Sequence, residues 1–153
     1  MRIAVISDTH GHVSSVRPFM DGLGKIDMLL HLGDHADDAV EIAKLLGCDY
    51  RAVCGNCDYF GGHPRERVEV LDGKRIYMTH GDCFDELTLS LRAEEKGCDL
   101  ALFGHTHMPL LTASGKLLIL NPGSPSSPRN GKPRSCALVE IVQGEIYIKI
   151  LTI

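Results

Sequence analysis

Five short polar clusters hold the groups in this chain best suited to chemistry: Asp8-Thr9-His10, Gly33-Asp34, Gly55-Asn56, His80-Gly81-Asp82 and Gly104-His105-Thr106-His107. Carboxylates, imidazoles and an amide together suit a first-row divalent metal better than they suit a packed core. Asp8 and His10 stand at i and i+2, roughly 7 Å apart on one face of straight extended backbone, and a bend would bring them together. His105 and His107 repeat that spacing. Two ions roughly 3.5 to 4 Å apart would let each imidazole serve a different ion. Singly, an Asp or Asn after a strand is more often a turn or cap residue than a ligand. Together, two Asp, one Asn and four His would be costly to gather in one crevice without a cation, because the carboxylates repel.

Each cluster follows an apolar, β-branched run that reads as a strand, and loops leaving the carboxyl ends of strands in an open α/β sheet converge on one crevice. Residues 2–7 and 28–32 read as buried parallel strands, and 50–54 as a third. Between them, 14–23 reads as a helix capped by Ser14 or Ser15 with Pro18 in its first turn, and 36–46 as a helix stopped by Gly47. This βαβαβ order favours right-handed crossovers and a parallel sheet. Residues 58–66, with Gly61-Gly62 and Pro64, form a loop close to the crevice. Asp72-Gly73 joins strands 68–71 and 75–79 as a hairpin; 86–96 is a helix ended by Gly97; 100–103 is a short buried strand. Ser114-Gly115 and Gln143-Gly144 mark two more hairpins, and the proline-rich stretch 121–134 between them is a loop.

At 153 residues the chain fits one domain, 1–153, able to bury roughly two thirds of its unfolded surface. Its net charge of −4, with Lys and Arg scattered, excludes a general electrostatic footprint for nucleic acid. No apolar run reaches the roughly 20 residues of a membrane helix, and the first residues leave no room for a signal peptide, so a cytoplasmic protein with reduced thiols is expected. Ile146, Ile148 and Ile150 would serve a core or an interface between copies equally well, which leaves a homo-oligomer open.

In order, D-x-H at Asp8 and His10, G-D at Asp34, G-N-x-D at Gly55 to Asp58, H-G at His80 and G-H-x-H at His105 and His107 resemble the motif series of the calcineurin-like metallophosphoesterases. The small size, Gly55-Asn56-Cys57-Asp58 and Asn121-Pro122-Gly123-Ser124 are similar to its compact YfcE-like phosphodiesterase branch. Each motif alone is weak; five in order, each at a strand end, make a joint signal. Pattern alone reaches α/β with a partly parallel sheet. The resemblance implies a four-layer αββα sandwich, two mixed β-sheets flanked by helices. It also implies that Asp8, His10 and His107 bind one metal and Asn56, His80 and His105 the other, with Asp34 bridging. The implied activity is a metal-dependent phosphodiesterase acting on small phosphodiesters through a metal-bridging hydroxide at a binuclear centre. The implied cation is manganese, while the donor set also admits Fe, Co, Ni or Zn. Two divalent cations, two carboxylates and one hydroxide leave roughly one net positive charge, suited to a phosphate ester.

The chain departs from the wider family at Cys57, where many members place a histidine that helps protonate the leaving group. A thiol of reference pKa ~8.5 is mostly protonated at pH 7 and could donate, without histidine's tuning near neutrality. Asn56, His12 and His35 are candidate substrate contacts beside the ligands, with a solvated loop as the alternative for the two histidines. His31 reads as a hydrogen-bonded structural histidine and His63 as a surface one. Asp58 and Asp82 read equally well as orienting groups or turn residues. Arg129, Lys132 and Arg134 read as a solvated loop able to reach an anion. Two rival readings remain: a non-catalytic scaffold like the retromer subunit related to these phosphoesterases, and a redox centre at Cys54 and Cys57.

Overall fold

The computed structural model describes residues 1–59 and 62–153, so Gly61 of the expected crevice loop lies outside the described residues. β1 (Arg2–Ile6), β2 (Met28–His31) and β3 (Asp49–Ala52) run parallel, as the βαβαβ pattern requires. β9 (Ser135–Val142) and β10 (Glu145–Thr152) join antiparallel on the other flank of β1, giving the order β10-β9-β1-β2-β3. The second sheet is built from β4 (Glu66–Leu71), β5 (Lys74–Thr79), β6 (Leu100–Leu102), β7 (Pro109–Ser114) and β8 (Leu117–Pro122), in the order β4-β5-β6-β8-β7. Its central strands β5, β6 and β8 are parallel and its outer pairs antiparallel, so both sheets are mixed.

Strand alternation explains how two sheets share one core. In β1, Ile3 and Val5 turn toward the second sheet and meet Ile76, Met78, Leu100 and Leu102, all fully buried. Ala4 and Ile6 turn the other way, onto Phe19, Leu23 and Ile42 of the covering helices. The same alternation in β5 and β6 turns Tyr77 and Ala101 outward onto Leu89 and Ala93 of α3 (Glu86–Glu95). Each such aliphatic side chain contributes at most ~1.5–3 kcal/mol by leaving water. The layers therefore run helix, sheet, sheet, helix, the expected αββα sandwich. Ile146, Ile148 and Ile150 pack, partly buried, against the inter-sheet core.

Local chemistry sets the helix ends. Asp85 starts α3 by accepting the Thr88 amide at 2.8 Å, and Gly47, at φ 67°, ends α2 (Asp38–Leu46) in the left-handed conformation. The expected helix over 14–23 is instead a 3₁₀ segment, Val13–Phe19, followed by a single turn, α1 (Met20–Leu23). Pro18 lies inside it without an amide to donate, Gly22 adds backbone entropy, and neither Ser14 nor Ser15 caps the start. The other elements fall within two residues of expectation, and all three hairpins form where Asp72-Gly73, Ser114-Gly115 and Gln143-Gly144 mark them. No helix among the described residues is long and apolar enough to cross a membrane.

Candidate metal centre

β1, β2 and β3 of one sheet and β5 and β6 of the other deliver their carboxyl ends to the same edge of the sandwich. The loops are stitched across that edge: the Asp8 amide donates to the Gly33 carbonyl at 3.0 Å, and the Gly104 amide to the His80 carbonyl at 2.9 Å. Such closeness needs glycine. A Cβ at Gly55 would run into the Asp34 carboxylate, and one at Gly104 into Ser7 and Asp8. Six ordinary residues in these loops, Asp8, His10, Asp34, His35, His105 and His107, have φ between 50° and 71°. Asp and His tolerate that region better than bulkier residues, at a cost of ~1–2 kcal/mol each. The strain sits where the side chains converge, and the packing beneath must offset it.

The structure brings together all seven proposed ligands. Asp34 is nearly buried and faces both ways: Oδ1 lies 3.4 Å from His80 Nε2, and Oδ2 lies 3.7 Å from His10 Nε2. Asp8 Oδ1 stands 3.2 Å from His107 Nε2 and 3.9 Å from His80 Nε2. His10 and His107 rings are 5.1 Å apart, His80 and His105 rings 5.2 Å, forming two imidazole pairs on either side of Asp34. His105 Nδ1 lies 3.1 Å from Asn56 Oδ1, completing the second group. Asp8, His10, Asp34 and His107 offer donor atoms all within 4.8 Å of one another.

Two features test whether a cation fits. Asp8 Oδ1 and His80 Nε2 are buried without a hydrogen-bond partner, each a cost of ~1–3 kcal/mol that a metal would remove. The ring orientations also suit ligation. His80 donates from Nδ1 to the Leu32 carbonyl at 2.7 Å and His107 from Nδ1 to the Ser127 carbonyl, which leaves each Nε2 lone pair aimed inward. The field favours positive charge. For Asp34, burial opposes ionisation, yet His80 and the Cys57 amide at 2.9 Å outweigh it and hold the carboxyl well below its usual range. The Asp8 carboxylate raises His107; burial depresses His80, but Asp34 and Asp8 prevail and raise it. Burial lowers His10. The residues present fit a metal.

Around the ligands stand groups that sequence reading left undecided. Asp58 accepts four backbone amides, from Gly55 at 2.7 Å, His35 at 2.8 Å, and Asp34 and Ala36 at 2.9 Å, so it ties the loop after β2 to the loop after β3. Asp82 pairs with Arg65 at 2.6 Å, and Arg65 donates on to the Gly55 carbonyl at 3.3 Å. His31 is structural, as expected. It accepts the Gly33 amide at Nδ1 and pairs through Nε2 with Thr9 Oγ1 at 3.1 Å; Thr9 in turn donates to Asp38 at 2.6 Å. Burial pushes its pKa down to about 4, so it stays neutral at pH 7. His35 is exposed with its ring 6.0 Å from His10, while His12 lies exposed on the turn after His10. His63 is not a free surface residue: its side chain is 17% exposed and bonded to Asp37 at 3.2 Å. Cys54 is buried, Cys57 half-buried, and all six cysteines are free.

The end of β8 and the loop after it, expected only as a solvated segment able to reach an anion, also brace the centre. Asn121 donates to the Gly104 carbonyl at 2.7 Å and Thr106 Oγ1 at 3.0 Å, while Ser124 and Ser126 donate to the Asp8 carbonyl at 2.8 and 3.0 Å. One loop thus braces the first and last ligand clusters. An Asn at the end of the apolar run 117–120, with a Ser three residues on, was the available signal.

A profile of the calcineurin-like phosphoesterase superfamily domain matches residues 1–144. A probable metallophosphoesterase of Methanocaldococcus jannaschii is 36% identical, over 98% of this chain and 78% of its own. The phosphodiesterase YfcE of Escherichia coli is 31% identical over 58% of this chain and 51% of its own. The crystal structure of a predicted phosphoesterase from Streptococcus pneumoniae superposes with a TM-score of 0.80 at 34% identity, covering 99% of this chain and 88% of that one. Vps29 of Entamoeba histolytica, complexed with zinc, shares the fold at a TM-score of 0.75 and 21% identity, over 99% of both chains. Since the matched stretch contains every strand end that feeds the crevice, the chain belongs to the calcineurin-like phosphoesterase superfamily.

Proposed function

We propose that residues 1–153 act as one domain, a metal-dependent phosphodiesterase that hydrolyses small phosphodiesters at a binuclear centre. The observation that carries this reading is the pair of partnerless buried donors, Asp8 Oδ1 and His80 Nε2, flanking an Asp34 carboxylate whose two oxygens face different imidazole pairs. Asp8, His10 and His107 would hold one cation and Asn56, His80 and His105 the other, with Asp34 shared. When bound, such a pair acidifies water toward hydroxide at neutral pH and neutralises the charge gathering on phosphoryl oxygens.

The chain's own residues supply the rest. Asp34 is kept ionised, and the carbonyls of Leu32 and Ser127 hold His80 and His107 in the ligating tautomer. Exposed His35, its ring 6.0 Å from that of His10, and the amide of exposed Asn56 would contact phosphate oxygens in this reading. Burial, with the Asp34 carboxylate nearby, raises the Cys57 thiol, so it retains its proton but surrenders it less readily than a histidine would. Esters with good leaving groups are the fitting substrates. Manganese is the proposed cation, following the family resemblance, and six unpaired thiols fit a reducing, cytoplasmic setting.

The test is direct. Protein stripped by chelator and resupplied with Mn, Fe, Co, Ni or Zn in turn should hydrolyse bis-p-nitrophenyl phosphate, best with Mn. No hydrolysis with any of them, together with capture of a stable protein partner, would favour a scaffold role of the Vps29 kind. A thiol titre unchanged by mild oxidation, with hydrolysis unaffected by replacing both Cys54 and Cys57, would dispose of the redox reading.

A further inference from the structure

Beside the centre, on the side of the second sheet, lies a cavity of about 530 Å³ walled by Phe84, Phe103, Met108 and Leu110. His105 lines it too, so the cavity shares a wall with the proposed second cation site. A larger hollow of about 680 Å³ beside Lys25, Lys44 and Tyr50 includes none of the strand-end groups. Of these two, the smaller is continuous with the chemistry.

We propose, resting on the phosphodiesterase reading, that this cavity seats the ester arm of the substrate that is retained on phosphorus, and that this arm is an uncharged ring. Its volume falls in the usual range for ligand clefts, roughly 300–1,000 Å³. Two aromatic rings, a thioether and a leucine favour a flat apolar group over a hydrated one. The charges at its border argue against an anionic arm. Asp82 is neutralised by Arg65, and Arg92, stacked 4.2 Å from the Phe84 ring, is paired with Glu66, so among the described lining residues Asp85 and Glu86 stand against Lys132. A second phosphate or a carboxylate would enter a net negative rim. Cys57, which occupies the family's leaving-group position, is not a wall of this cavity. The departing alcohol therefore faces Cys57, and the arm that stays faces Phe84.

The experiment fixes the leaving group and varies the retained arm. With metal supplied, phenyl p-nitrophenyl phosphate should show a KM about tenfold or more below that of methyl p-nitrophenyl phosphate, the scale expected for burying one ring. The kcat values should lie within a few-fold of each other. In Phe84→Ala the KM ratio of the two esters should collapse toward one; Leu110→Ala gives the same reading should the first variant fail to fold. Independently of turnover, the Met108 methyl resonance should shift on adding diphenyl phosphate but not dimethyl phosphate. Hydrolysis of both esters with equal KM, or a Met108 signal indifferent to the aryl compound, would overturn the arm assignment alone. Hydrolysis of neither ester with any metal would overturn the phosphodiesterase reading, and the arm assignment with it.

Discussion

The two halves of the proposed two-cation centre are closed to different degrees. On one side Asp8 is fully buried and His107 is 4% exposed, and their donor atoms gather tightly with those of His10 and Asp34. On the other, only His80 is fully buried; His105 is half-exposed and Asn56 is exposed, and among the described residues they are tethered by their mutual contact at 3.1 Å and by the weak bond from the Asn56 amide to Cys57 Sγ at 3.5 Å. Ser127 pins His107 by its ring and Ser124 and Ser126 pin the Asp8 backbone, all from one loop. Among the described residues, no loop carbonyl or hydroxyl braces Asn56 in that way. A donor set held in place pays less ordering entropy on binding. The closed half should therefore keep its cation and the open half exchange it, at the side where the apolar cavity begins.

Replacing the shared group should produce the largest effect. Asp34→Asn keeps the volume and an acceptor for the Cys57 amide at 2.9 Å, but removes the charge that both halves use. Changes to outer-shell partners alone cost roughly 10–100-fold in metal affinity or activity, so loss of a shared ligand should exceed about 100-fold in kcat. Titration followed by elemental analysis should give fewer than two ions per chain. Two ions retained at wild-type affinity would mean that Asp34 does not bridge.

Next in size is the contrast between the halves. His107→Ala should weaken the tighter step of a two-step metal titration, and His105→Ala only the weaker one, each by about 10–100-fold. Calorimetry on chelator-stripped protein separates the steps. If the two variants weakened the same step, the difference in burial would have no bearing on cation binding.

How much of this was legible before folding depended on the reach of each signal. Strand runs, three Gly-containing hairpin turns and the ligand clusters lie in contiguous stretches, so local pattern exposed them. The meeting of Asp34 with His80 needed only the rule that carboxyl ends of parallel strands share an edge. Three things escaped. The 14–23 helix failed because neither Ser14 nor Ser15 caps it and Pro18 and Gly22 oppose a continuous α-helix. The fourfold amide grip of Asp58 was invisible because its donors come from two separate loops. The bracing by Ser124 spans 116 residues and acts on a carbonyl, which no side-chain motif records.

Asp58 offers the next test, since it belongs to neither half and supports both. Asp58→Ala strips the acceptor from four amides, the three in 34–36 lying at the approach to α2, where an anion is also favoured by the helix dipole. Charge-assisted bonds contribute ~1.5–3 kcal/mol each but not additively, so a loss of about 3 kcal/mol is expected in urea unfolding. Both metal steps should weaken together, by about tenfold. Asp58→Asn, which keeps one of the two acceptor oxygens, should fall between. Weakening of one step alone would show the two loops to be independent.

Cys57 should give the smallest effect and the finest reading of the open half. Its amide bond to Asp34 survives substitution by alanine, so Cys57→Ala isolates the thiol. A well-tuned general acid contributes ~10²–10⁴-fold; a thiol raised by burial and a neighbouring carboxylate should contribute less. With p-nitrophenolate leaving, the variant should match the wild type, because that alcohol needs little proton help. With phenolate or an alkoxide leaving, it should slow by up to about tenfold, steepening the dependence of rate on leaving-group pKa. Cys57→His, which restores the wider family's residue, should flatten that dependence below wild type. Equal slopes in wild type and Cys57→Ala would mean that the proton reaches the departing oxygen from water, and that the open half takes no part in protonating it through this side chain.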